Sequence, residues 1–416
     1  MKNLIFKRAT FSALMAVACM SNAWSLDLVA DFQKAMTYDP AFQTAEAERQ
    51  ANLASASQAR AIFLPEASYN NSRLQTDTTN RQTVTVTQPI INLDRIATFR
   101  MGAPRQGFAE ATYLVKQQDL AARLLKAANA IVLANENLKL NEAKNKALDQ
   151  QALAAKKKLE LGQGTVTDLR DIEVKAAQGK AQHVSYKTQL QAAAKSYAAI
   201  TGAMPVISEF VLPAKHGTLA LKPSEDYVDS ALQNNASILV ARFSERVAEL
   251  DVQRATGALL PTFSATYNNS KAGGVTNAYS GVVVNVPIQA GSYFARQGVE
   301  AAYLKAKEAR RESEEKARVE VERLREQVAT GFELVKIQQD AIAASELSVD
   351  ANIKSFEGGV RSTIDVLNAT QTLFQVKSDY VTAVTSQSES VLSLLSQTTL
   401  SPAEALAEAY KYLFSR

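Results

Sequence analysis

The sequence predicts a mainly α-helical, internally duplicated chain with a minor membrane-type β component. Three observations predict it: a long-range echo of one half in the other, helix-period ladders of unusual length, and two short stretches of period-two alternation. "LELGQGTVTDLRDIEVKAAQ" at 159–178 returns as "FEGGVRSTIDVLNATQTLFQ" at 356–375, with Gly162 answering Gly359 and Asp168 answering Asp365. "FLPEASYNNS" at 63–72 returns as "LLPTFSATYNNS" at 259–270, and "TQPI" at 87–90 as "NVPI" at 285–288. All three pairs keep their order at shifts of 196 to 198 residues. A period this long is that of a large unit written twice, not of a solenoid repeat.

The chain opens with Lys2, Lys7 and Arg8 ahead of the apolar run Ala9–Met20, and Ser21-Asn22-Ala23 offers small residues where a signal peptidase reads. Residues 1–23 are therefore expected to be a secretory signal; the run is too short to cross a bilayer about 30 Å thick. The one cysteine, Cys19, lies inside that signal, and Ala16 stands where a lipoprotein signal would want Leu. Of 46 basic residues three leave with the signal, so the mature chain sets 43 against 42 acidic ones. With a net of +1, the sequence pI near 8.9 says nothing about nucleic acid, and no nucleic-acid partner is expected. No thiol remains for a disulfide or a metal, and no later stretch reaches the 18 or so apolar residues of a membrane helix.

Each half repeats one order of parts. The first unit spans 24–201, the second 224–416, and 202–223, rich in Pro and Gly, separates them; "ISEFVLP" inside it could add a strand. A helical stretch (27–63, then 224–258) leads to a hairpin (66–91, then 262–289), a very long helix (93–159, then 292–357), a Gly-marked reversal and a second helix (166–200, then 363–397). Leu120, Leu124, Ala127, Ile131, Ala134, Leu138, Leu148, Ala152, Ala155 and Leu159 alternate spacings of 3 and 4, with Asn141 and Asn145 between. Val321, Leu324, Val328, Val335, Ile342 and Val349 repeat the pattern around Gly331, Gln338 and Ser345. Such ladders are coiled-coil seams, and their Ala, Gly, Ser and Asn slots suggest close, thin packing. About 65 helical residues reach roughly 100 Å. Gly102, Pro104 and Gly107 are expected to interrupt the first long helix early.

In the β stretches Val84, Val86 and Ile90 share a face opposite Thr83, Thr85 and Thr87, and Val282, Val284, Val286 and Ile288 repeat the arrangement. Two hairpins make four strands. Four strands cannot close a barrel, and an open edge is not tolerated in hydrocarbon, so strands in a membrane require several chains to share one barrel.

Signal, duplicated units and paired "LGQGTVTDL" and "GGVRSTIDV" turns together resemble the TolC family of outer-membrane channel-tunnels over essentially the whole mature chain. The resemblance implies a homotrimer with a 12-stranded β-barrel in outer-membrane lipid, continuous with an α-helical coiled-coil tunnel across the periplasm. It implies as partners a periplasmic adaptor and an inner-membrane ABC transporter or proton-driven pump. It also places the two echoed turns at the periplasmic tip, with Gly162, Gly164, Gly358 and Gly359 in the reversals. Phe356, Arg361, Asp365 and, from the first copy, Asp168 would stand at the constriction, with Arg361 reaching toward Asp168. Three Asp365 carboxylates would ring the axis and favour cations. Family members often carry a second acid where this chain has Asn368, and Tyr where it has Phe356.

Other readings stay open beside it. Asp168 and Asp365 each lie in a helix's first turn, where a carboxylate serves as a cap. The ladders would also suit a pore-less coiled-coil scaffold, although that leaves the matched hairpins unexplained. For an enzyme the chain offers His183 and His216 apart from any acidic cluster, no phosphate loop and no nucleophile motif. No cofactor, metal or catalytic residue is expected. The opening "LDLVADFQKAMTYDP" and the lack of a lipoprotein motif resemble the protein-secretion branch of that family, which implies type I secretion, with drug efflux as the alternative.

Overall fold

The computed structural model describes residues 27–74, 77–162, 164–212, 220–288 and 290–414. The signal segment with Cys19, and Pro213, His216 and Gly217, lie outside the described residues.

The duplication is carried element by element. Helices α1 (Leu28–Tyr38) and α2 (Pro40–Arg60), strands β1 (Glu66–Leu74) and β2 (Asp77–Ile91), and helices α3 (Leu93–Glu160) and α4 (Val166–Thr201) form the first copy. The second runs α5 (Ser224–Asn234), α6 (Ala236–Gly257), β3 (Thr262–Ala272), β4 (Val275–Asn285), α7 (Ala290–Glu357) and α8 (Thr363–Thr398), closed by α9 (Pro402–Phe414). Both long helices have 68 residues and both return helices 36. At 1.5 Å per residue, each shaft is about 100 Å long. Among the described residues, no helix is long and apolar enough to cross a membrane.

The first helical stretch of each copy is broken where the sequence suggested one run. The breaks fall at Asp39 and Asn235, whose side chains accept from the opening backbone N–H groups of α2 and α6. Asp39 is buried and also receives the Arg123 guanidinium of α3 at 2.6 Å. Asn235 donates instead to Gln397 of α8 at 2.5 Å. Each cap thereby ties its short helices to a long one.

The strands form one antiparallel sheet in the order β1-β2-β3-β4, so the two hairpins join through β2 and β3. Register aligns Ala67 with Val86, Val86 with Tyr267, and Tyr69 with Val84. It continues the same face through Phe263 opposite Val284 and Ala265 opposite Val282. The other face aligns Ser68, Thr85, Asn268 and Tyr279, and then Asn70, Thr83, Ser270 and Asn277. On it Asn268 donates to Thr85 Oγ1 at 3.0 Å, and the hydroxyls of Thr83 and Ser270 lie 3.3 Å apart. One face is thus mainly apolar, interrupted by Gln88, Asn269 and Ser280, and the other mainly carries hydroxyls and amides, the kind of division a barrel wall makes between lipid and lumen. Strands β1 and β4 are its two unpaired edges.

Proline accounts for a difference between the copies. Having no N–H to give a ladder, Pro89 is passed by an irregularity in register between Pro89 and Ile91. In the second copy β4 stops at Asn285, ahead of Pro287, so Val286 and Ile288 fall outside the strand on which the alternation placed them.

Two other expectations are corrected. Helix α3 runs unbroken through Gly102, Pro104 and Gly107. A Cβ on Gly102 would lie 2.7 Å from Arg60 Cγ, and one on Gly107 would lie 2.4 Å from the Phe243 ring. The glycines let α2 and α6 approach the shaft rather than break it. The described part of "ISEFVLP", residues 207–212, adds no strand: Ile207–Glu209 is a single 3₁₀ turn. Behind it Phe210 is buried edge-on against Tyr197 of α4, with ring centroids 5.4 Å apart, and its carbonyl accepts from Asn135 of α3. The segment is satisfied by helices and has no sheet to join.

The main core lies along the middle of the shaft. Leu120, Leu124, Ile131, Val321, Leu324 and Val328, all from the expected ladders, are buried there with Val391, Leu392 and Leu394 of α8 and Leu406 of α9. Toward the far end the packing thins to Leu148, Ile172, Ala176 and Leu367. Gly331 fills its ladder slot with backbone alone because a Cβ there would collide with Gln387 Oε1, whose amide donates to the Val328 carbonyl at 2.8 Å.

Candidate channel tip

Both shafts end in the same kind of reversal. Helix α3 closes with Lys157 and Lys158 in its last turn, where cations complement the exposed carbonyls. Gly162 follows at φ +72°, and Gly359 takes φ +76° at the matching place after α7. These left-handed positions are the ones that demand glycine; Gly164 and Gly358 do not share that conformation. Beyond Gly359 the Val360 and Arg361 N–H groups both return to the Ser355 carbonyl.

Each return helix is then capped by its own chain. Thr165 Oγ1 accepts from the Asp168 N–H at 3.1 Å and donates to Asp168 Oδ2 at 2.6 Å. In the second copy Ser362 and Asp365 form a reciprocal capping box, with the Ser362 N–H and hydroxyl donating to Asp365 Oδ2 at 2.9 and 2.8 Å. These bonds hold the Asp365 carboxyl below its usual pKa; the Ser362 N–H contributes most, then its hydroxyl, and Arg361 adds to them. Asp365 is accordingly an anion at neutral pH. Arg361 Nη1 lies 3.7 Å from Asp365 Oδ1, both exposed or half-exposed. Within one chain Arg361 thus faces Asp365.

Phe356 offers its ring face to a cation from the other reversal. Lys158 Nζ sits 4.0 Å from its ring centroid, joining the end of α3 to the end of α7. A cation over an aromatic face at an exposed site contributes about 0.5–1 kcal/mol. Beside this pair a cavity of about 360 Å³ opens between the two reversals, lined among others by Gln151, Ala154, Ile172, Ile353 and Val366. Asn368 lies one turn into α8, exposed, its carbonyl accepting from the Thr372 hydroxyl.

The tip therefore gathers Phe356, Arg361 and Asp365 at one reversal and sets Asp168 at the other, with Lys158 bridging them. Sequence reasoning missed Lys158. Its signal was a run of three lysines, 156–158, facing a ring that lacks a hydroxyl.

The sequence profile described as outer membrane efflux protein matches residues 32–203 and 227–398, one match for each copy. The proteases secretion protein PrtF of Dickeya chrysanthemi is 25% identical over 391 residues, which are 86% of this chain and 84% of that protein. The alkaline protease secretion protein AprF of Pseudomonas aeruginosa is 24% identical over 403 residues, covering 87% and 83%. Among solved structures, the outer membrane protein VceC of Vibrio cholerae superposes with a TM-score of 0.73 at 16% identity, over 93% of this chain and 97% of that one. A profile that runs through both copies, a sheet with one apolar and one polar face, and a matched pair of long helical shafts lead to one conclusion: the chain belongs to the outer membrane efflux protein family, the TolC-type channels of the outer membrane.

Proposed function

We propose that the chain assembles as a homotrimer whose three four-stranded sheets close a 12-stranded barrel, and that it exports proteins by type I secretion. The periplasmic shaft would meet an adaptor and an inner-membrane ABC transporter. Closure by several chains rests on the two free sheet edges, because each chain supplies four strands and an unpaired edge has no hydrogen-bond partner in hydrocarbon; three chains, giving twelve strands, is what membership of the family favours over two. The cargo reading rests on one observation: the two protease secretion proteins match this chain over 86% and 87% of its length. The name of the matching family supports a second reading, small-molecule efflux with a proton-driven pump.

Complementation separates the two. In a host with a protease ABC transporter and adaptor but no outer-membrane component, this chain is expected to restore protease in the medium. Unrestored secretion together with raised drug tolerance in an efflux-deficient host would transfer the assignment to efflux. The oligomeric half is tested by mass measurement of the detergent-purified outer-membrane protein, where a monomer overturns it.

At the tip, three Asp365 carboxylates around the axis would form the narrow, cation-attracting ring. Asp365→Asn is expected to lower cation selectivity in planar bilayers with little change in pore size. Arg361→Ala, which removes the neighbouring positive charge, is expected to raise cation conductance. Parental conductance and selectivity in both variants would leave the two residues as helix-capping groups only.

A further inference from the structure

Helices α4 and α7 each keep a second strip that none of the described residues covers. On α4 the strip is Val174, Ala177, Ala181, Val184 and Thr188, at alternating spacings of 3 and 4; Val174 is 56% and Val184 65% exposed. On α7 it is Thr330, Leu334, Ile337, Ala341 and Ala344, again at 4 and 3, with Ile337 60% exposed and Leu347 beside it 72% exposed. A helix with two apolar ladders is built to sit between two neighbours. Each of these has its first neighbour within the chain, α3 for α4 and α8 for α7.

Charge identifies the second neighbour. From Lys175 to the end of α4 the charged residues are Lys175, Lys180, Lys187 and Lys195, with no acid among them. From Glu326 to its end, α7 carries six acids and two lysines, and Glu326, Glu333 and Asp340 recur every seven residues beside the open strip. Among the described residues, Lys187, Lys195, Glu333 and Asp340 form no ion pair within the chain. Lys180 approaches Asp149 only at 4.0 Å, and Glu326 pairs with the adjacent Arg325.

The spacings also agree. Helix α4 climbs from the tip at Val166, and α7 descends to it at Glu357. By subtraction, Lys180, Lys187 and Lys195 stand 14, 21 and 29 positions above the tip, and Asp340, Glu333 and Glu326 stand 17, 24 and 31. Val184 at 18 meets Ile337 at 20. The offset is two or three residues throughout, about 3–4.5 Å of rise.

We infer that α4 of one protomer packs antiparallel against α7 of the neighbouring protomer, with Val184 on Ile337 at the centre and Lys180, Lys187 and Lys195 facing Asp340, Glu333 and Glu326. The inference rests on the homotrimer reading and deepens it: the charge ladder sets which helices meet and in what register. Complementary charges along an interface select partner and register, and like charges there are strongly disfavoured.

The test uses full-length protein expressed to the outer membrane and purified in detergent at low salt. The triple variant Lys180→Glu, Lys187→Glu, Lys195→Glu is expected to lower the trimer fraction roughly tenfold or more. The triple variant Glu326→Lys, Glu333→Lys, Asp340→Lys should do the same, and a chain carrying all six changes should recover most of the trimer. A second measurement leaves the charges in place: with Val184→Cys and Ile337→Cys together, oxidation should yield covalent dimers and trimers that neither single variant gives. Trimer levels unchanged in both triple variants, no recovery in the six-fold variant, or cross-links from the paired cysteines only to another protein would each overturn the inference while leaving the trimer standing. A parental chain that is itself monomeric would instead overturn the trimer reading.

Discussion

Val282→Arg is expected to destabilise the assembled protein by about 2–4 kcal/mol per chain, while Val283→Arg, one residue along the same strand, costs much less. Val282 shares its face with Ala265, Phe263, Val284 and Val86, and Val283 points with Ser264 to the other side. If the apolar face meets lipid, an arginine at 282 must bring its guanidinium into hydrocarbon or distort the strand to escape. At 283 the same side chain would reach into a wet lumen. Urea titration of each variant folded into lipid vesicles reads the difference directly. Equal costs, or a greater cost at 283, would mean that the faces have been assigned the wrong way round.

Leu124→Ala is expected to cost about 2–5 kcal/mol, the range for emptying a leucine-sized site in a packed interior. Leu124 is fully buried within the cluster that joins α3 of the first copy to α7 and α8 of the second. Its neighbours lie on long helices held by many other contacts, so they cannot collapse far into the vacated volume. A matched change at Leu153, 63% exposed on the same helix, should stay within about 0.5 kcal/mol. The denaturant midpoint of detergent-solubilised protein separates the two variants, and a small effect at 124 would show that the shaft gains little from this core.

Much of the architecture could be read from the chain because its signals are local. The prolines at 65 and 261, the Gly-marked reversals and the ladders of 3 and 4 report turn and helix chemistry within a few residues of themselves. What escaped is non-local. Gly102, Pro104 and Gly107 look like a helix break when propensity alone is consulted, since only the structure shows Arg60 and Phe243 pressed against the two glycines. The pairing of β2 with β3 joins residues more than 170 positions apart, and nothing near either strand announces it. At the tip, the capping roles of Asp168 and Asp365 follow from their places in a first turn. The Lys158 contact with Phe356 depends on how two reversals from different copies lie together, which no spacing within either copy encodes.

The equality of the two shafts, 68 residues out and 36 back in each copy, constrains how the chain can change. Both shafts hang from the same sheet and the same core, so their ends stand level only while their lengths match. Deleting seven residues from α7 and seven from α8 would preserve the phase of both ladders, yet it would lift that tip by about 10 Å relative to its neighbour. Lys158 would then face a different turn, and the cavity between the reversals would open on one side. Changes of length in this protein are therefore tolerable in matched sets of four, one in each arm of each copy. A chain lengthened or shortened in one copy alone would stand on uneven legs.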